Sequence, residues 1–444
     1  MLLQFPNPFE ATSETPQNRP AILLMVYDCA PEVSAGWMRV VDAAQEFDVH
    51  AIVSAESLAT IEGAGRAAPL APAIRFHTPR LDAVHRALTR LGATRDRNPL
   101  AYRHWQHLAF RQAQALHRVH CFSLVHQVNL DGVVEPGFAW RLGIPFVWGP
   151  ADGTERVPAA FLSGMTFAEQ IAERARALRV RLALGGRHVR QASRQAAVLL
   201  AAHSGARQDF ERIFRRPLEV LPAAGLASVQ RPETARFRGS GPLRLLWAGT
   251  FAQPDSLPLL LEAIANLGHD VNYRLHILGA GPLEAEWKAL ASEMGVRGRC
   301  TFLGDPGALG LAAQLGDAHL LVSTRLRGGP CGPILEALGR GVPVMCFDQH
   351  AAGDIVTSAC GLKIALTHPG QAVAGMASAL RALAQDRTPL LRLSAGACDR
   401  ARNFLWRENS ARMLAIYNGL VLASPVAAAR TARGAADVHT LRSL

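Results

Sequence analysis

At 444 residues the chain is long enough for two or three domains of the usual size, about 150 residues each. With 49% apolar and 19% charged residues and a mean hydropathy of +0.09, it is too apolar for a disordered chain. The net charge of +11 calls for an anionic partner, which composition leaves open among nucleic acid, an acidic membrane surface and a phosphorylated small molecule.

Residues 1–18 are rich in Pro, Asn, Thr and Glu, carry no signal-peptide pattern and are expected to be an unstructured lead. Short apolar runs then alternate with helical patterns. In the first half they are AILLMVY (21–27), VHAIVS (49–54), SLVHQV (123–128), IPFVWG (144–149) and AVLLAA (197–202). In the second half they are LRLLWAG (243–249), YRLHILG (273–279), HLLVST (319–324) and VPVMCF (342–347). Continuous apolar runs with helices between them signal parallel strands covered on both faces, so the expected class is α/β with two doubly wound Rossmann-like domains. Pro217, Pro222, Pro232 and Pro242 with Gly239 and Gly241 interrupt any periodic pattern and mark the boundary. The expected division is a first domain at 19–220, a linker at 221–242, a second domain at 243–403, a helical segment at 404–424 and a disordered tail at 425–444. No apolar run reaches the roughly 18 residues of a membrane span, which predicts a soluble cytoplasmic protein.

Residues 51–240 carry 26 basic and 14 acidic groups, whereas 241–400 carry 13 of each. The basic excess therefore sits on the first domain. Of the 47 basic residues 45 are arginine, a uniform bias that fits codon usage better than dedicated phosphate sites. Residues 171–182 put Ile171, Ala175, Leu178 and Leu182 on one helical face, with Arg174, Arg176, Arg179 and Arg181 on the flanks and back. Two readings fit that pattern: an interfacial helix on anionic lipid, or a surface helix packed on its own sheet and stopped by Gly185-Gly186. The seven cysteines are scattered and form no CxxC pair, which argues against a disulfide framework or structural zinc and for small buried residues of a reducing cytosol.

Open α/β sheets bind ligands beyond the carboxyl ends of their strands, so the loops there carry the chemistry. After LRLLWAG come Gly249, Thr250 and, further along, Asp255. After YRLHILG come Gly279, Ala280, Gly281 and Pro282, a glycine turn expected to open a helix at Pro282. After HLLVST comes RLRGGPCGPILEALGRGVPV (325–344), a glycine-rich loop feeding a helix expected to begin at Pro333. Free amide groups after Gly332 and the positive end of the helix dipole make an anion site there. Glu336 lies one turn inside, where a carboxylate can accept two ribose hydroxyls.

With "LGAGP" followed by "PILEALGRGVPV", then "DIVTSACGLKI" (354–364) and "FLWRENSARMLAIYNGL" (404–420), the second half resembles the retaining nucleotide-sugar glycosyltransferases of group 1, family 4, which have the two-Rossmann GT-B fold. The first half is similar to one bacterial branch of that family through "SAGWMRVVDAAQEFDVHAIVS" (34–54) and "PGFAWRLGIPFVWGPADGTE" (136–155). The resemblance spans nearly all of residues 20–424. It implies transfer of a hexose from a nucleotide-diphosphate sugar, with retention and no bound metal or other cofactor. The acceptor would be lipid-linked or a polysaccharide, in envelope or exopolysaccharide synthesis at the inner face of the plasma membrane. The donor would sit on the second domain and the acceptor on the first.

Residue by residue, the resemblance puts Glu336 on the second acid of a Glu-x7-Glu motif that holds the donor ribose, and Gly279 and Gly281 on the turn near the nucleotide. His126, at the end of a first-domain strand, corresponds to a histidine facing the donor sugar. Gly36 and Trp37 match the amino-terminal loop. Asp152 and Glu155 follow the strand ending at Gly149, where either could orient an acceptor hydroxyl or cap a turn. Three positions depart from the family. The first acid of the motif falls on Gly328, and the Arg and Lys that neutralise the diphosphate fall on Thr250 and Asp255. Arg325, Arg327 and Lys363 are the nearby cations able to compensate. These departures also suit a second reading, a non-catalytic glycosyltransferase-like scaffold or partner subunit. Nucleic-acid binding is disfavoured because the basic segment shows no aromatic-interleaved motif.

Overall fold

The structure, a computed structural model, describes residues 19–31, 34–65, 74–91, 98–128, 132–239, 241–268, 271–305, 307–329 and 331–423. The expected lead at 1–18 and tail at 425–444 lie outside the described residues.

The first sheet contains β1 (Ala21–Val26), β2 (Asp48–Ile52), β3 (Ile74–His77), β4 (Val125–Val128), β5 (Phe146–Ala151), β6 (Ala196–Ala201) and β7 (Glu219–Val220), in the order β3-β2-β1-β4-β5-β6-β7. The second contains β8 (Leu243–Ala248), β9 (Tyr273–Leu278), β10 (Cys300–Phe302), β11 (Leu320–Ser323), β12 (Val344–Phe347) and β13 (Gly361–Ile364), in the order β10-β9-β8-β11-β12-β13. Every pairing is parallel. Two doubly wound α/β domains are therefore present, as the apolar runs imply. All nine runs became strands. The four that pattern reading missed, β3, β7, β10 and β13, are the outer strands of the two sheets. Each is partly exposed, so none shows the unbroken apolar run of an interior strand.

Side chains alternate between the faces of a parallel sheet, so each sheet feeds two cores. In the first domain Leu23, Met25, Phe146 and Trp148 pack on one face, and Ile22, Leu24, Val49 and Val147 on the other. The second face is completed from far along the chain. Helix Trp406–Leu422 returns to the first domain and buries Met413, Leu414, Tyr417 and Val421 in that core. Ser410 donates to the buried Asp42, and Asn418 donates to Glu46 at 2.6 Å. The two domains are thus joined by the linker and also by this returning helix.

Helix Phe167–Gly185 starts with a capping box, in which the Thr166 hydroxyl accepts the Glu169 amide and the Glu169 carboxylate accepts the Thr166 amide. Its predicted apolar face is not packed on the sheet. Phe167, Ile171, Leu178 and Leu182 are 74%, 49%, 56% and 66% exposed, and the helix anchors itself through Val180 and Leu184 instead. The reading of a surface helix packed by that face is thereby corrected. Five cysteines are buried as expected, but Cys121 is exposed, because it caps helix Pro99–His120 in the left-handed conformation, and Cys331 is half-buried. No helix among the described residues is long and apolar enough to cross a membrane.

Candidate active site

A cleft of about 380 Å³ opens beyond the carboxyl ends of β8, β9, β11 and β12. Each strand contributes a loop. Gly249 and Thr250 follow β8, Gly279 follows β9, Thr324 to Gly329 follow β11, and Gln349 to Ala352 follow β12. The loops after the neighbouring strands β8 and β9 come close because Gly279 has no side chain. At Gly279 (φ 137°) a Cβ would stand 1.8 Å from the carbonyl oxygen of Gly249, so no other residue fits this turn. The expected helix after it begins at Glu284 rather than Pro282, which lies in the preceding turn. Helix Gly332–Gly339 does open at the cleft, with Pro333 and Ile334 in the wall. A helix amino terminus of this kind carries free amides and a partial positive charge.

Of the residues that the sequence nominates, Gly249, Thr250, Gly279, Arg325, Arg327 and Gly328 line this cleft. Gly281 instead packs against the backbone of Phe251. Gly332 starts the helix without being a wall residue. Glu336 lies outside the wall, where its carboxylate pairs with Arg340 one turn further on. On the first domain, Gly36 and Trp37 open helix Ala35–Ala43, whose Ser34 hydroxyl caps the Trp37 amide at 3.1 Å. Trp37 is stacked on Phe76.

His126 is placed differently from expectation. It is the second residue of β4, not a strand-end residue, and is fully buried. Its Nε2 donates to the Gly149 carbonyl, so Nδ1 accepts from the Tyr417 hydroxyl. Burial lowers its pKa to about 4, which keeps the ring neutral. The ring ties β4 to β5 and to the returning helix and presents nothing to the cleft.

The cations expected to compensate for Thr250 and Asp255 are already paired. Asp255 is 3% exposed and accepts the Thr250 amide and hydroxyl, both at 2.6 Å. Arg325 pairs with the same carboxylate through Nε at 2.8 Å and Nη2 at 3.1 Å. Arg327 pairs with Glu173 of the first domain, and Lys363 with Asp348 at 2.8 Å. The anion-holding groups around Thr250 thus grip a carboxylate of the protein itself.

Asp152 and Glu155, which the sequence nominates, belong to a cluster at the domain junction whose other members, His203, His350 and Asp354, sequence reasoning missed. Glu155, after β5, accepts His203 Nε2–H at 2.6 Å and the Gly153 amide at 2.9 Å. His203, after β6, accepts the Ala206 amide on Nδ1 at 3.1 Å, which leaves Nε2 as the donor to Glu155. Burial alone would raise the Glu155 pKa, but the hydrogen bond and charge of His203 outweigh it and hold the carboxyl below its ordinary range. Burial and the neighbouring Glu155 charge push Asp152 up to about 6. Facing them across the junction are His350, which lines the cleft, and Asp354, whose carboxylate accepts the Ser204 amide and hydroxyl at 2.6 Å. The available signal was position: His203 and His350 both follow strand-forming runs, AVLLAA and VPVMCF.

Residues 242–386 match the family model described as Glycosyl transferases group 1. No curated protein matches the chain significantly. Among solved structures, sucrose-phosphate synthase from Thermosynechococcus elongatus is 15% identical, with a TM-score of 0.63, covering 91% of this chain and 100% of that one. The Anabaena HepE protein in complex with UDP and glucose is 12% identical, with a TM-score of 0.58, covering 90% and 100%. WaaG, a glycosyltransferase involved in lipopolysaccharide biosynthesis, is 16% identical, with a TM-score of 0.56, covering 89% and 99%. The fold is GT-B, and its second half carries a Glycosyl transferases group 1 domain.

The raised pKa of Asp152 has a stability consequence. A carboxyl whose native pKa lies above its unfolded value costs nothing at low pH, where both states are protonated, and destabilises increasingly as pH rises from about 4 to beyond 6. Asp152→Asn is therefore expected to raise the melting temperature at pH 7.5 by a few degrees. Melting curves taken from pH 7.5 down to about 4 should show that advantage disappear.

Proposed function

We propose that the chain transfers a hexose from a nucleotide-diphosphate sugar on its second domain to a lipid-linked or polysaccharide acceptor on its first. The configuration would be retained and no bound metal used, within envelope or exopolysaccharide assembly at the cytoplasmic face of the membrane. The observation that carries this reading is the cleft itself, lined by strand-end loops and a helix amino terminus that all fall within the group 1 match. The complex of HepE with UDP and glucose and the lipopolysaccharide role of WaaG support the donor and acceptor classes. Stabilisation of the leaving diphosphate falls to the amides at the start of helix Gly332–Gly339 and to Arg325, shared with Asp255. Gly36, Trp37 and Asp152 lie on the acceptor side.

The bare stripe Phe167, Ile171, Leu178 and Leu182, flanked by Arg174 and Arg181, supports contact with an anionic membrane surface. It would also give the basic excess of the first domain a purpose that diphosphate binding does not. A second reading, a non-catalytic partner subunit, is favoured by the pairing of Arg325 with Asp255 and Arg327 with Glu173.

Calorimetry and donor hydrolysis with a panel of nucleotide sugars separate the two. Binding of at least one donor with slow hydrolysis is expected, whereas no binding by any donor would favour the partner-subunit reading. Asp255→Asn, which releases Arg325, is expected to tighten nucleoside diphosphate binding by about tenfold, the worth of one charge-assisted hydrogen bond. Unchanged or weaker binding would restrict Arg325 to a structural role. In flotation assays with vesicles containing phosphatidylglycerol, the protein should co-float at low salt. Leu178→Glu with Leu182→Glu should abolish this without altering donor affinity.

A further inference from the structure

Position 328 has no room for a side chain, and the reason lies in the other domain. A Cβ on Gly328 would stand 2.6 Å from Cγ of Glu155, 2.7 Å from its carboxyl carbon and 3.0 Å from Oε2. The side chain that fills this space is well held. His203 and the Gly153 amide each take one of its oxygens, and Arg176 donates to the Glu155 carbonyl at 2.8 Å. A carboxylate has about four acceptor positions, so these two hydrogen bonds do not exhaust it. The side chain is only 4% exposed, and in so sheltered a place a charge-assisted hydrogen bond is stronger than in water.

His350 lies on the same junction. It lines the cleft, and its ring centre is 5.9 Å from that of His203. Its backbone takes φ 50°, rare for a residue other than glycine. Its Nε2 is enclosed and has no hydrogen-bond partner among the described residues. Burial lowers its pKa, so at neutral pH the ring is uncharged and able to bond a hydroxyl. A neutral imidazole and an ionised carboxylate beside a pair of glycines make a surface suited to a polyhydroxylated group rather than to an anion.

Resting on the donor reading above, we propose that Glu155 recognises the hydroxyls of the transferred sugar from the first domain, with His203 fixing its orientation and His350 adding a second polar contact. Residue 328 is glycine because that carboxylate occupies its side-chain space. Recognition of the sugar, unlike recognition of the nucleotide, then requires both domains.

The test compares UDP-glucose with UDP, or the best pair from the donor panel, by calorimetry on the full chain. Glu155→Gln is expected to weaken the nucleotide sugar by roughly tenfold or more and the nucleoside diphosphate by less than about twofold. Gly328→Ala, which collides with Glu155, should do the same. The double change Gly328→Glu with Glu155→Gly moves the carboxylate to the facing domain and should restore nucleotide-sugar affinity to within about threefold of the original. A merely structural Glu155 would not be replaced in this way, and melting curves show whether each variant is folded. Equal losses for both ligands, no loss for either, or a swap as weak as Gly328→Ala would each overturn the assignment while leaving the donor reading intact. If the unaltered protein binds neither ligand, the donor reading falls and this one with it.

Discussion

The two sheets meet through charged groups held across a narrow junction, and the geometry of the cleft depends on that meeting. Arg327 reaches from the loop after β11 to Glu173, Asp354 accepts the Ser204 amide and hydroxyl, and Glu155 lies against Gly328. Each contact takes one partner from each domain. The loop after β11 therefore receives its position from the first domain as much as from the strand that precedes it. Helix Trp406–Leu422, whose Tyr417 lies in the core of the first domain, restricts how far the domains can part.

The basic character of the chain is not concentrated where a diphosphate would lie. The cations nearest the cleft, Arg325 and Arg327, are each opposed by an acid, and the second domain carries no net charge from 241 to 400. Under the proposed function, anion recognition on this side would rest mainly on backbone amides and on a helix end, groups whose partial charges need no counter-ion. Burying Asp255 with Arg325 also avoids leaving an unpaired guanidinium in a sheltered wall when no ligand is bound, a situation that would be costly.

Interior strands could be read from sequence because burial on both faces leaves an unbroken apolar run, as in AILLMVY and VPVMCF. Edge strands such as β7 and β13 lack that run and went unseen. The glycine loops were legible for a related reason: close backbone approach at Gly279 is a local demand that a local pattern records. The junction was not legible. Glu155 and Gly328 are far apart in the chain, and nothing near either residue announces the other. His126 shows the opposite error, where a histidine inside a strand is indistinguishable by pattern from one at its end. The pairing of Arg325 with Asp255 was likewise hidden, because charge composition records how many ions exist and not which are spent on each other.

Helix Phe167–Gly185 ties the outer surface to the cleft. Its solvent side bears the four bare apolar residues, while Glu173 and Arg176 on the same helix grip Arg327 and the backbone of Glu155. A helix is a stiff rod only about 10–12 Å across, so the two sides cannot move independently. The outer stripe and the contacts that reach Arg327 in the cleft wall therefore share one rigid element, so a force on one side is borne by the other.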